Sequence, residues 1–238
     1  MKNLISSLSQ LNKEYNVIGI KQSTEDEGAL YNDILTIRRT TELCGLKLSV
    51  KIGGCEAKND INFCKSIGVN GIVAPMVESQ FALQKFIESI IHLQDIKFYI
   101  NIESKTAYEN LDSILNSPSS KLLSGIVIGR SDLTKSFGYG KDQVDSKFIN
   151  YNITTLMGGN ITPKSGLFIK TLYEKNLLKY IETRNIIIKL DKNNIQNLPS
   201  AIKSSLLFES KWLKYKADYY NQIGKKYTDR SNLILNRV

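Results

Sequence analysis

The 238-residue chain has little histidine, proline or cysteine: one, four and three residues respectively. The cysteines, Cys44, Cys55 and Cys64, are odd in number and lack C-x-x-C spacing. That speaks against a disulfide framework or a zinc site and predicts a reducing, cytoplasmic compartment. No run reaches the roughly 18 apolar residues of a membrane span, and the opening MKNLISSLSQLNKEY has no apolar stretch long enough for a signal peptide. No membrane partner is expected. Acidic residues are the minority charge, giving a formal net charge of +9. The lysines are scattered, however, and no segment interleaves basic and aromatic residues as a nucleic-acid module does. The densest basic run, KWLKYKADYYNQIGKKY (211–227), reads as a solvated helix face with Trp212, Leu213, Tyr215 and Tyr219 as packing positions. A glycine-rich turn is also missing after the first strand-like run, IGIKQSTEDEG. A dinucleotide-binding Rossmann sheet would carry one there.

What the chain does have is alternation. Strand-like runs occur at residues 16–23, 46–54, 70–76, 96–104, 124–133, 165–170 (SGLFIK) and 185–191. Between most of them lie segments with helical spacing, such as GALYNDILTIRRTTELCG, ESQFALQKFIESIIHLQ and TAYENLDSIL. Hydrophobic content of 42% supports one large core. The pattern predicts a single (β/α)8 barrel over residues 1–238 with one of its eight strands unassigned, and a C-terminal helical segment at about 196–223.

A barrel brings the C-terminal ends of its strands to one rim, so polar residues there converge on a shared site. The ends supply Lys21 and Glu25, Lys51 and Glu56, Glu78, Glu103, Asp132 and Lys189. Glu103 and Asp132 stand out because each closes an alternating apolar run, IKFYINIES and GIVIGRSDL. GGCEA (53–57) and MGGN (157–160) offer backbone amides to an anion or form tight turns, and the turn is the preferred reading of both.

Taken in order, GVNGIVAPMVES, INIES and GIVIGRSDLTKSFG resemble the HpcH/HpaI aldolase/citrate lyase family, most closely over residues 46–140. KIGGCEA and IETR (181–184) resemble a subgroup of it. The resemblance implies a barrel of the phosphoenolpyruvate-binding type and a metal-dependent carbon–carbon lyase or aldolase. Its substrate would be a 2-keto acid such as pyruvate, and homo-oligomers are common. Glu103 and Asp132 would hold Mg2+ or Mn2+, since both carboxylates are hard oxygen ligands. Lys51 stands where family members have an arginine for the substrate carboxylate. It keeps the charge but loses the bidentate fork. Arg130, replacing a frequent proline, is a second anion-binding candidate, and Arg184 a third.

The chain departs from the family at its proton-transfer groups. Its one histidine, His92, falls inside a helical pattern, and Ser66 occupies the place of the usual aspartate. Glu25 and Glu56 are the substitute base candidates. Three alternatives stay open: a Schiff-base aldolase using Lys21, Lys51 or Lys189, a non-catalytic barrel that binds a keto acid or phosphoester, and a charge-driven nucleic-acid binder.

Overall fold

The computed structural model describes residues 1–25, 28–138 and 152–235. Eight strands close a barrel in the order β1 to β8. They are β1 (Val17–Ser23), β2 (Lys47–Lys51), β3 (Gly71–Ala74), β4 (Lys97–Ile102), β5 (Gly125–Gly129), β6 (Thr155–Gly158), β7 (Tyr180–Glu182) and β8 (Ile186–Lys189). Neighbours from β1 through β7 run parallel. β8 is antiparallel to both β7 and β1.

That reversal follows from a short connection. Only Thr183 to Asn185 separate β7 from β8, and so few residues can join antiparallel strands but not a parallel crossover. The C-terminal end of β8 therefore lies at the opposite rim from the other strand ends. Lys189 is exposed there, its amide donating to Asn16 O at the start of β1 (3.2 Å).

Two strand assignments differ from the sequence reading. SGLFIK is not a strand; it lies at the start of the helix Gly166–Glu174, which buries Gly166, Ile169 and Leu172 at helical spacing. The strands that complete the barrel are the short segments TLMG and YIE.

Helices cover the barrel. α1 (Lys2–Tyr15) buries Leu4, Leu8 and Leu11. α2 (Tyr31–Leu43) buries Ile34 and Ile37, and α3 (Lys58–Ser66) buries Ile61 and Cys64. α4 (Gln80–Ile90), capped by Ser79, buries Leu83, Phe86, Ile87 and Ile90. TAYENLDSIL divides into α5 (Lys105–Glu109) and α6 (Leu111–Leu115), and α7 (Arg130–Phe137) follows β5 directly. The helix Gly166–Glu174 is α8, and α9 (Leu198–Leu235) runs 38 residues, further than the sequence pattern indicated. Its first part buries Ala201, Ile202, Ser205, Phe208, Glu209 and Trp212, a stripe recurring every three to four residues. No helix among the described residues is long and apolar enough to cross a membrane.

Candidate active site

The strand ends of β1, β2 and β4 to β7 open onto a cleft of about 490 Å³. Two buried glutamates anchor it. Glu103 follows β4 and is 6% exposed, and Glu182 ends β7 and is 1% exposed. Each meets a lysine: Lys51 Nζ lies 3.1 Å from Glu103 Oε2, and Lys21 Nζ lies 2.7 Å from Glu182 Oε2. A buried carboxylate without a partner would be costly, so the ammonium groups make these positions tenable.

Glycines make room for both carboxylates. A Cβ added at Gly129 would come 3.0 Å from Glu103 Cβ, and one at Gly158 would come 3.2 Å from Glu182 Oε2. A larger residue at either strand end would push the carboxylate aside. Glu103 is oriented further by Met76 N–H, donating to Oε1 (3.2 Å), and by Asn101 Nδ2, donating to Oε2 (3.0 Å).

Asp132 lines the same cleft from the first turn of α7. Its side chain is 52% exposed and its Oδ1 lies 3.0 Å from Lys135 Nζ. The structure thus brings Lys51, Glu103 and Asp132 together at one opening, with Lys21 and Arg184 beside them.

The other sequence candidates fall elsewhere. Arg130 is buried, but its guanidinium lies over the ring of Phe168 at 5.3 Å, and the arginine is not among the residues lining the cleft. Glu56 is exposed and lies 4.0 Å from Lys85 on the outside of the barrel. Glu25 is exposed and its side chain lies against Gly53. Neither carboxylate faces the cleft, so the base role expected of them finds no support in their placement. Glu78 accepts from Ser104 Oγ behind the rim. Lys189 sits at the wrong end of the barrel. His92 is exposed in the turn after α4, and Ser66 Oγ donates to Phe63 O at the end of α3.

GGCEA forms a turn whose anion is internal. Asp60 accepts from Gly53 N–H (2.8 Å), Thr24 Oγ1 (2.7 Å) and Tyr31 Oη (3.0 Å). A carboxylate of the chain itself fills the place a phosphate would take. MGGN behaves differently: Gly158, Gly159 and Asn160 line the cleft beside Ser131.

Sequence reasoning passed over Glu182 and Glu209. Glu209, on α9 and 4% exposed, accepts through Oε1 from Thr183 Oγ1 (2.5 Å), Asn185 N–H (2.6 Å) and Ile186 N–H (3.2 Å). It pins the β7–β8 turn that carries Arg184 to the cleft. Deeper in the barrel, burial first, and then Tyr180 and Glu182, push the Tyr99 hydroxyl up to about 12. Tyr99 packs, half-buried, against Val73, Val127 and Leu156 inside the barrel.

The HpcH/HpaI aldolase/citrate lyase family model matches residues 37–156, the stretch that carries Lys51, Glu103 and Asp132. The chain belongs to this family. Solved structures agree in fold. A citrate synthase variant, SbnG, superposes with a TM-score of 0.59 at 16% identity, covering 89% of this chain and 90% of that one. An HpcH/HpaI aldolase/citrate lyase family protein from Burkholderia cenocepacia gives 0.59 at 12% identity, covering 90% of each chain. An HpcH/HpaI aldolase from Desulfitobacterium hafniense gives 0.56 at 13% identity, covering 84% and 87%. No curated protein matches the chain in sequence. Membership in an aldolase and citrate lyase family supports lyase-type chemistry on a small molecule.

The donor set suits a hard divalent ion. Glu103 and Asp132 come from adjacent units of the barrel, and three donors hold Glu103 toward the cleft. Among the described residues no group of three or more His, Cys, Asp or Glu side chains forms a cation cage. An ion here would take two carboxylates from the protein and its other oxygens from water and substrate, as magnesium and manganese do.

Proposed function

We propose that this family member is a carbon–carbon lyase of the aldolase class, acting on a 2-keto acid with Mg2+ or Mn2+ held by Glu103 and Asp132. One observation carries the reading: both carboxylates line a single cleft, and Glu103 is buried and aimed by Met76 N–H, Asn101 and Lys51.

The ion supplies Lewis-acid stabilisation of the enolate charge that develops when a bond beside the keto group breaks or forms. The protein's own groups do the rest. Lys51, 3.1 Å from Glu103 Oε2 and only 12% exposed, meets the substrate carboxylate. Arg184 and Lys135 at the rim draw anions toward the opening. Asn101 keeps the Glu103 carboxylate from turning away.

Mg2+ or Mn2+ should raise the melting temperature of the parent, because a ligand bound only by the native state stabilises it. Glu103→Gln and Asp132→Ala should each remove that response. A parent-like rise in both variants would place the ion elsewhere.

The presence of Lys21 and Lys51 in the cleft favours, as a second reading, a Schiff-base aldolase. Borohydride reduction in the presence of pyruvate separates the two: a covalent adduct supports the imine, and its absence together with metal-dependent oxalate binding supports the metal.

A further inference from the structure

The family's usual histidine and aspartate are missing here, yet aldol chemistry needs a group to take and return a proton. The described carboxylates lining the cleft are Glu103, Asp132, Glu182 and Glu209. Three have other work. Glu103 and Asp132 form the proposed metal site, and Glu209 accepts three hydrogen bonds from the β7–β8 turn. Glu182 does not. Lys21 binds its Oε2, and its Oε1 makes no hydrogen bond to the described residues.

The setting is built rather than incidental. Glu182 is 1% exposed, Gly158 leaves space against its Oε2, and the Lys21 side chain is 13% exposed. In the barrel order Glu182 and Lys21 flank β8, whereas Glu103 and Lys51 flank β3. The two ion pairs thus stand on different sides of the mouth, and a keto acid held near Glu103 would extend its far end toward Glu182.

We infer that Glu182 is the general base and acid of this site, a catalytic residue, with Lys21 a positioning residue that holds its carboxylate. This rests on the reading of the cleft as an aldolase site. In the cleavage direction Glu182 takes the proton of the substrate hydroxyl. The hydroxyl carbon becomes a carbonyl as the carbon–carbon bond breaks, and that bond's electron pair passes into the enolate of the keto acid. The proton then moves from Glu182 to the enolate carbon, giving the keto acid and restoring the carboxylate. No other reactant is consumed. Run on pyruvate alone in heavy water, the last step in reverse exchanges the methyl hydrogens.

The test follows deuterium entry into the pyruvate methyl group by proton NMR with Mg2+ present, alongside calorimetric titration of oxalate, an enolate mimic. Glu182→Gln keeps the shape but cannot accept the proton. It should slow exchange by about a hundredfold or more, the usual contribution of a positioned acid–base group, while still binding oxalate like the parent. Lys21→Met should shift the pH profile of exchange and Lys21→Arg restore it, which a merely structural lysine would not do. Exchange at the parent rate in Glu182→Gln overturns the inference and leaves the metal site standing. A parent that neither binds oxalate nor exchanges overturns the aldolase reading and this inference with it. Should Glu182→Gln not fold, Glu182→Asp serves: slowed exchange with oxalate binding intact supports the role, and parent-like exchange refutes it.

Discussion

Replacing Lys51 with methionine keeps most of the stem and removes the ammonium that lies 3.1 Å from Glu103 Oε2. Breaking a buried ion pair from one side costs about 3–5 kcal/mol. Here both groups border the cleft, at 12% and 6% exposure, and Met76 N–H and Asn101 Nδ2 still serve Glu103. The metal-free variant should therefore lose about 1.5–3 kcal/mol, the scale of one hydrogen bond to a charged group. Divalent ion should then act in the opposite direction. With no ammonium competing for Oε2, Mg2+ should bind Lys51→Met more tightly than the parent. A tenfold gain adds about 1.4 kcal/mol of stabilisation at saturating ion. In a protein of this size that is about 3–6 °C in melting temperature. Oxalate affinity of the metal-loaded variant should fall by about 1.5–3 kcal/mol, because the charge that meets the anion is gone. Differential scanning calorimetry with and without Mg2+, followed by oxalate titration, reads all three effects. An identical Mg2+ response in parent and variant would refute the sharing of Glu103, and an unchanged oxalate affinity would remove Lys51 from anion binding.

Three further outcomes are expected. Glu209→Ala removes the acceptor shared by Thr183 Oγ1 and the Asn185 and Ile186 N–H groups and leaves Ile186 N–H its longer bond to Thr183 Oγ1 (3.3 Å), so urea melts should show a loss of about 1–3 kcal/mol; a loss below about 0.5 kcal/mol would mean the turn holds without it. Burial alone would raise the Asp191 carboxyl, but hydrogen bonds from Asn194, Asn16 and Asn193, with Lys189 nearby, hold it below its usual 3.8. Because the folded value is the depressed one, Asp191 should stabilise the fold above about pH 4 and lose that contribution as pH falls through the folded value; Asp191→Asn should flatten this part of the acid limb in melts taken across pH. Lys189→Met should leave oxalate binding unaltered by calorimetry, since that side chain lies at the far rim; weakened binding would contradict the reversed β8.

The barrel was legible in β1 to β5 and in β8, where runs of β-branched and other apolar residues, alternating or continuous as in GIVA and IIIK, stood out from their surroundings. It was obscured at YIE, which has three residues, and at TLMG, whose two apolar residues sit between a threonine and a glycine. SGLFIK misled because adjacent Leu167, Phe168 and Ile169 fit a strand as well as a helix, and only the wider spacing of Gly166, Ile169 and Leu172 distinguishes them. Two parts of the site followed the same division. Glu103 and Asp132 close long runs and are visible as punctuation, whereas Glu182 closes a strand that was itself unseen. Its one signal was IETR, read from the sequence only as resembling a subgroup of the family. Contacts made by barrel closure, such as Lys21 with Glu182 and Glu209 with the β7–β8 turn, join residues 161 and 24 to 26 positions apart and have no local signature.

The central claim is that Glu103 and Asp132 hold a divalent ion beside a keto-acid site. Anomalous diffraction from crystals grown with Mn2+ and oxalate tests it most directly. One manganese peak is expected within coordinating distance of both carboxylates, with oxalate completing the sphere on the side of Lys51. Manganese bound elsewhere, or oxalate seated in the cleft with no ion at Glu103 and Asp132, would contradict it.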